Sequence, residues 1–501
     1  MSRAQKMLAA SVLSALVVAG AVATAHAAFG FFTSVKPYAT PVGGSYSVKP
    51  LLSVGDRVPR TSNKSQSVQM VGIPDGLGIT RQRGRRTVFM NQELGQTVTS
   101  EPVIGQPQTR GAFVSTWRLR RDGSVKSGDL AYSSIYSENS YVGPIATTAN
   151  ATSAFSRFCS GFLADATVGF SEPVYLTGEE SGGAQTFDGN GGLSVAIFDD
   201  RLHTLPKFGH FAKENQVVLP HTGLKTVIMV LEDGPASPDS QLYMYVGTKV
   251  PHSRSVLRRN GLDNGKLYVF VGGAGVAHEG DLPGGSTTGS WTQIPNADTL
   301  TETQLEAAAD AAGAMGFVRI EDGAGNVQSP GQFHFVTTGA NFPSVNPYNK
   351  LGRLYRINLN TANPTSAAKL TVVYNADQVI AGGGDTAISP DNIDVNGRYL
   401  MINEDGTGES RPVMASKGRD GSIWRYDLKN NYAATRVAQL SPPGRDGVAV
   451  GPGIWETSGI IETSNEFGPE SWLFDVQAHS PTAAPAAGTV EDGQLLLMRK
   501  R

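Results

Sequence analysis

VIMVLEDG (Val227–Gly234) followed by QLYMYV (Gln241–Val246) is the stretch from which the rest of this chain is read. A short apolar strand runs into an acidic end, and a second strand follows with an aromatic at its centre. YLMINEDG then SIWRYDL (Tyr399–Gly406, Ser422–Leu428) repeats the pair, as do FHFVTTG then RLYRINL (Phe333–Gly339, Arg353–Leu359). GIIETSNEFG then SWLFDVQ (Gly459–Gly468, Ser471–Gln477) is a fourth copy. Two looser copies lie N-terminal: TVFMNQELG then GAFVSTWRL (Thr87–Gly95, Gly111–Leu119), and PVYLTGEESG then LSVAIFD (Pro173–Gly182, Leu193–Asp199). Strand pairs that cannot bury a face alone, repeated along a chain, predict a radial all-β architecture. Six copies predict a six-bladed β-propeller with inserted loops and one short helix. The repeat also sets Glu93, Glu179, Glu180, Glu232 and Glu404 at equivalent strand ends, where carboxylates gathered at one end of the axis would form a metal site.

Between the pairs, Ser137–Ala154 reads as a polar surface excursion and Gly280–Thr288 as a flexible loop. Thr303–Met315 opens with Thr-x-x-Glu and runs through alanines, which predicts the inserted helix. His479–Gly488 reads as a Pro/Ala linker, and Gln494–Met498 as a last strand placed to close the ring by pairing with a blade begun elsewhere.

Arg3 and Lys6, the small apolar run Met7–Ala25 and Ala25-His26-Ala27 together predict a secretory signal peptide over residues 1–27. The expected mature chain, residues 28–501, is then one propeller domain without a membrane anchor, in the periplasm or the medium. With 59 Gly, 28 Pro and 17% charged residues against the ~25% usual in soluble domains, the chain suits many short strands. A net charge of −2 offers no field for nucleic acid or anionic lipid.

Cys159 is the only cysteine, so the fold stands without an internal disulfide. Its setting, RFCSGF, reads as a turn ahead of a strand, leaving a buried small hydrophobe and a metal ligand equally open. No Walker loop, HExxH pair or serine-hydrolase elbow is present. What remains is a set of acidic strand ends: Asn91-Gln92-Glu93, Gly178-Glu179-Glu180, Lys213-Glu214-Asn215, Leu231-Glu232-Asp233, Arg319-Ile320-Glu321-Asp322 and Pro390-Asp391-Asn392. Oxygen donors of this kind suit Ca²⁺ or Fe³⁺ better than Zn²⁺.

In that order the segments resemble the PhoX-type alkaline phosphatases, exported calcium- and iron-dependent phosphomonoesterases built on a six-bladed propeller. Asn91-Gln92-Glu93 is similar to the family's Asn-His-Glu. Phe158-Cys159-Ser160-Gly161 followed by Thr177-Gly178-Glu179-Glu180 resembles its Asn-Cys-Ala-Gly-Gly and Thr-Cys-Glu-Glu. Gly209–Glu214 resembles Gly-Arg-Phe-x-His-Glu, Val230–Asp233 resembles Leu-Thr-Glu-Asp, and Arg319-Ile320-Glu321 resembles Arg-Pro-Glu. Pro390-Asp391-Asn392 matches Pro-Asp-Asn, and Val476-Gln477-Ala478-His479 is similar to a late Val-Gln-His. Gln92 and Lys213 stand where the family has histidines, and Ala478 displaces His479 by one place.

The resemblance implies Ca²⁺ and Fe³⁺ held directly by Cys159, Glu214 and Glu321, with Glu93, Glu179, Glu180 and Glu232 as further ligands. It also implies that Arg319 contacts the phosphate of a small-molecule ester bound by a monomer. Arg319 and Glu321 lie two apart, which puts both side chains on one face if the segment is extended. The competing readings are a non-catalytic calcium-binding propeller and a propeller that hydrolyses lactones or phosphotriesters.

Overall fold

The computed structural model describes residues 30–234, 240–341, 348–442, 450–479 and 485–501. The predicted signal peptide lies outside the described residues, as do parts of the predicted linker. Among the described residues no helix is long and apolar enough to cross a membrane.

Six antiparallel blades follow one another along the chain. Blade 1 is built from Pro74–Gln82, Arg85–Gln92, Phe113–Leu119 and Val125–Leu130. Blade 2 uses Phe158–Ala164, Val174–Glu179, Ser194–Phe198 and Arg201–Thr204. Lys213–Val218, Lys225–Glu232, Ser240–Thr248 and Lys266–Val271 make blade 3. Blade 4 consists of Ile320–Gly325, Gln332–Thr337, Arg353–Asn358 and Ala368–Asn375. Pro390–Val395, Tyr399–Glu404, Ser422–Asp427 and Ala433–Leu440 form blade 5, which Ala39–Pro41 extends at its outer edge. In blade 6, Glu456–Glu462, Ser471–Ala478 and Asp492–Lys500 are completed by the N-terminal strand Tyr46–Ser53.

The first strand of each blade touches the first strands of both neighbouring blades, so these six strands ring the axis. The molecule is a six-bladed β-propeller. The last strand closes the ring as the sequence predicts, with Ser53 opposite Gln494 and Tyr46 opposite Lys500. Joining the chain's two ends in one sheet ties the ring shut, with Tyr46–Ser53 as the outer strand of blade 6.

Apolar side chains from facing blades make the cores. Leu176 and Ala196 of blade 2 pack with Ile228, Val230 and Tyr243 of blade 3, and Leu305 and Ala309 of the inserted helix seal the same cluster. Burying such side chains contributes about 1.5–3 kcal/mol each, enough for a large fold without disulfides.

Several local expectations are corrected. The helix spans Glu302–Ala311, because Gln304 Oε1 accepts the Thr301 N–H at 3.0 Å and sets the cap at Thr301, two residues before the predicted Thr303. It is not the sole helix: among the described residues, four segments of 4–7 residues join it at Val256–Arg259, Ala376–Ala381, Ser410–Ser416 and Ser464–Phe467. The excursion after Ser137 contains a hairpin, Ser134–Ser137 with Ser140–Pro144, which pairs in parallel with Arg201–Thr204. The predicted loop Gly280–Thr288 ends inside a strand, Ser286–Gln293, that links the outer strands of blades 3 and 4.

Candidate metal centre

Every inner strand slips register near its start. The slips fall at Asp75/Leu77, Phe158/Gly161, Lys213/Gln216, Ile320/Gly323, Pro390/Ile393 and Ser458/Ile460. A bulge breaks the period-two alternation and re-aims a side chain. Two residues before the first re-paired position stand Asp75, Cys159, Glu214, Glu321, Asp391 and Ser458, one per blade. Cys159 therefore sits on a strand at a bulge, not in the predicted loop; the extra residue is what made the segment read as a turn.

Close packing of the inner strands leaves no room for larger side chains in the bulges. A Cβ on Gly76 would lie 2.5 Å from the Gly161 nitrogen and 2.6 Å from the Cys159 carbonyl oxygen. Backbone strain accompanies the bulges. Ile73, Arg157, Arg319 and Ser389, each two residues before an axial side chain, are left-handed with φ of 45°, 46°, 57° and 45°.

A second tier comes from the strand next to each inner strand. Glu93, Glu180, Asp233 and Asp405 directly follow those strands in blades 1, 2, 3 and 5. Glu93, Glu180 and Asp405 line a cavity of about 300 Å³ with Cys159, Glu321 and Asp391. Arg157, Arg319, Glu456, Gln477 and His479 complete its polar wall.

Three triads of possible ligands run across the axis: Asp75, Glu93 and Cys159; Cys159, Glu180 and Glu214; Glu214, Glu321 and Asp391. Within each, the ligand atoms lie within 4.8 Å of one another. Cys159 and Glu214 belong to two triads each, so the groups form one continuous run from blade 1 to blade 5. The Cys159 thiol donates to Asp75 Oδ2 at 3.1 Å and to Glu214 Oε1 at 3.4 Å. Ser160 Oγ donates to Glu214 Oε1 at 2.5 Å, while Glu214 Oε2 is buried with no hydrogen-bond partner among the described residues.

The charges are crowded. Burial, then the carboxylates of Glu93 and Glu456, pushes Asp75 well above its usual range. Burial followed by Glu321 and Glu180 does the same to Glu214, and burial followed by Glu456 and Glu321 does it to Asp391. Burial, then Asp75 and Glu214, raises the Cys159 thiol. Burial and the charge on Asp233 push Glu321 up to about 8. Ionised together, these groups need compensating cations.

Three cationic side chains face them. Arg157 Nη2 lies 2.9 Å from Glu93 and 2.6 Å from Glu180. Arg319 Nη2 lies 3.0 Å from Asp233 and 2.8 Å from Glu321. His479 Nδ1 is 2.6 Å from Glu491, and its Nε2 is 3.6 Å from Glu456. Although burial opposes it, pairing with both carboxylates raises His479 to about 10.

Of the residues nominated from sequence, the structure gathers Glu93, Cys159, Glu180, Glu214, Arg319 and Glu321 here. Arg319 and Glu321 meet through a left-handed residue followed by a bulge, not through a plain extended segment. Glu179 and Glu232 are not in the cavity wall. The Glu179 carboxylate accepts the backbone N–H groups of Ser156, Phe187 and Leu193, and Glu232 accepts that of Gln241. Lys213, beside Glu214, points away and donates to the carbonyls of Gly192, Gly209 and Phe211.

Sequence reasoning missed Asp75, Arg157, Asp405 and Glu456 and quoted Asp391 and His479 without nominating them. Pro74-Asp75 shares the Pro-Asp frame of Pro390-Asp391, and Arg157 precedes Cys159 by the interval that separates Arg319 from Glu321.

The fold and the axial cluster define a six-bladed propeller with a candidate metal centre at one mouth. Among solved structures, the chain is similar to Pseudomonas fluorescens PhoX in complex with vanadate, a transition state analogue. That likeness has a TM-score of 0.65 at 16% identity and covers 94% of this chain and 97% of that one. It shows the fold. A luciferin-regenerating enzyme (TM-score 0.35, 8% identity, 86% and 92% covered) is too distant to bear on the site. The same holds for Trypanosoma rangeli sialidase (TM-score 0.37, 8% identity, 93% and 60% covered). No family model and no curated protein matches the chain.

Proposed function

We propose that this chain is an exported, metal-dependent phosphomonoesterase that releases phosphate from small-molecule esters with Ca²⁺ and Fe³⁺ at its axis. The observation that carries the reading is the unbroken run of three ligand triads ending beside Arg319, with the orphaned Glu214 oxygen at its centre. The donor set fits the metals. Carboxylate oxygens suit hard cations, and the Cys159 thiolate favours iron at the position it shares. A buried carboxylate oxygen without a hydrogen-bond partner is costly unless something else satisfies it, and a cation would.

Cations held by Asp75, Cys159, Glu214, Glu321 and Asp391 would supply Lewis acidity toward a phosphoryl group and its attacking oxygen. The chain's own residues do the rest. Asp75, Cys159, Glu214, Glu321 and Asp391 arrive on five different strands, so the propeller fixes their spacing before any ligand binds. Arg319, held between Asp233 and Glu321, presents a planar charged donor to a phosphate oxygen. The cavity, open at one side, admits the phosphoryl end of an ester and leaves the alcohol portion outside. The fold neighbour was solved in complex with vanadate, a transition state analogue, which supports an oxyanion as the class of ligand.

The test pairs elemental analysis of the purified protein with hydrolysis of p-nitrophenyl phosphate, before and after chelation. Calcium and iron with chelator-sensitive hydrolysis support the reading. Tightly bound calcium without hydrolysis would make the chain a binding propeller. Arg319→Ala separates the roles further, because it should keep the metals and lose phosphate affinity.

A further inference from the structure

We propose that Arg157 is a second anion-binding arginine, acting with Arg319 in the cavity both line, and that the pair selects phosphate monoester dianions over diesters. This rests on the phosphatase reading of the site. Arg157 and Arg319 occupy equivalent positions in blades 2 and 4. Both directly precede an inner strand, and both stand two residues before an axial ligand candidate, Cys159 in one blade and Glu321 in the other. Both are left-handed, at φ 46° and 57°. Ile73 and Ser389 share that backbone at the same ring position, so it belongs to the register slip, and blades 2 and 4 are the ones that place an arginine on it.

Their contacts repeat as well. Arg157 of blade 2 pairs with Glu93, the second-tier acid of blade 1. Arg319 of blade 4 pairs with Asp233, the second-tier acid of blade 3. Each arginine is thus steadied by the preceding blade while it lines the common cavity. Their side chains keep 48% and 30% of their surface exposed, so each has donors left for a ligand.

Counting acceptors then gives the specificity. A monoester dianion has three non-bridging oxygens, enough for one on each arginine and one toward the axial carboxylate cluster and its cations. A diester has two, so one of these three partners must go unmatched. The partner left over forms no charge-assisted hydrogen bond to the ligand, so a diester is held by one such bond fewer than a monoester.

The experiment uses the full mature protein as purified, with metal content measured for every variant. Inorganic phosphate binding is followed by calorimetry, and hydrolysis of p-nitrophenyl phosphate is compared with that of bis-p-nitrophenyl phosphate. Arg157→Gln should weaken phosphate binding about 10- to 100-fold, leave metal content unchanged and narrow the preference for monoester over diester. Arg157→Lys keeps the charge without the planar fork and should fall between. Unchanged phosphate affinity with unchanged metals would overturn the proposal. So would metal loss in both variants, which would make Arg157 a brace for Glu93 and Glu180. If wild type binds no phosphate while keeping its metals, the phosphatase reading itself fails. If only Arg319→Ala loses phosphate, that reading stands and the pairing falls.

Discussion

Glu179 and Glu180 are consecutive carboxylates in one blade, and the fold puts them to opposite uses. Glu179 turns away from the axis and is engaged by three backbone N–H groups. Glu180 turns into the cavity, where it meets Arg157 and belongs to a ligand triad with Cys159 and Glu214. Blade 5 repeats the contrast: Glu404 is buried against Arg419 and the Ile388 N–H, while Asp405 lines the cavity. Alternation along a strand gives neighbouring residues opposite faces. An acidic strand end is therefore half scaffold and half candidate site, and composition alone does not say which half is which.

The sharpest way to break this division is to remove one carboxylate from each half. Glu321→Ala should lose metal and phosphatase activity together, by about 100-fold or more, while the folded protein persists. Elemental analysis beside the activity assay reads both. Glu179→Ala should do the reverse. Three N–H groups, two of them buried, lose their acceptor, which costs about 3 kcal/mol, while metal per folded molecule stays the same. Denaturant unfolding that showed equal losses in the two variants would erase the distinction between the halves.

Acidity sharpens the comparison next. Glu321 is raised from the usual 4.5 to about 8, by burial and then by Asp233. The unfolded chain gives up this proton near 4.5 and the folded, metal-free chain near 8. The folded state binds the proton more tightly, so its contribution to stability is complete below 4.5 and lost as pH rises through 8. Asp405, raised to about 6 by burial and then by Glu456, adds a loss lower in the same window. Chelated protein should therefore melt at progressively lower temperature from pH 4.5 to 8. Metal-loaded protein should show a flatter profile, because cations replace those protons. Parallel profiles would mean that the axial acids do not hold the metal.

How much of this was legible follows from the same contrast. The strand pairs that announced the propeller are mostly the second and third strands of each blade, as in Val227–Gly234 with Gln241–Val246. These lie between apolar cores and end in acidic turns, so their hydrophobic runs stand out. Blade 6 differs: its quoted pair, Gly459–Gly468 with Ser471–Gln477, belongs to the inner strand and its neighbour. The inner strands of the other blades hide. PDGLGIT, FCSGFLA, KENQVV, IEDGAG and PDNIDV carry acids, glycines and a bulge, because they face a polar axis and pack against one another. The Cys159 segment reads as a turn and was placed in a loop, while the acids of KENQVV, IEDGAG and PDNIDV read as strand ends and Asp75 was passed over. Glu214 and Glu321 were found through their family resemblance. Arg157 was missed because its equivalence to Arg319 appears only when the inner strands are superimposed by register.

Cys159→Ser tests the smallest difference, between two donors at one unchanged position. The thiol has one hydrogen, within reach of Asp75 at 3.1 Å and Glu214 at 3.4 Å, and a hydroxyl likewise has one to give to either. Stability should therefore move by about 1 kcal/mol or less. The metals should separate. A hydroxyl is a poor substitute for a soft thiolate, so iron should fall. Calcium, held through the oxygens of Asp75, Glu93, Glu214 and their neighbours, should remain. Burial and the adjacent Asp75 and Glu214 charges keep the free thiol protonated, so a bound metal is what would draw off its proton. A thiolate-to-iron absorption band in wild type, absent from the variant, would report that bond directly. If iron, calcium and absorption were all unchanged, Cys159 would be a buried thiol between two acids. The axis would then be a carboxylate centre for hard cations alone.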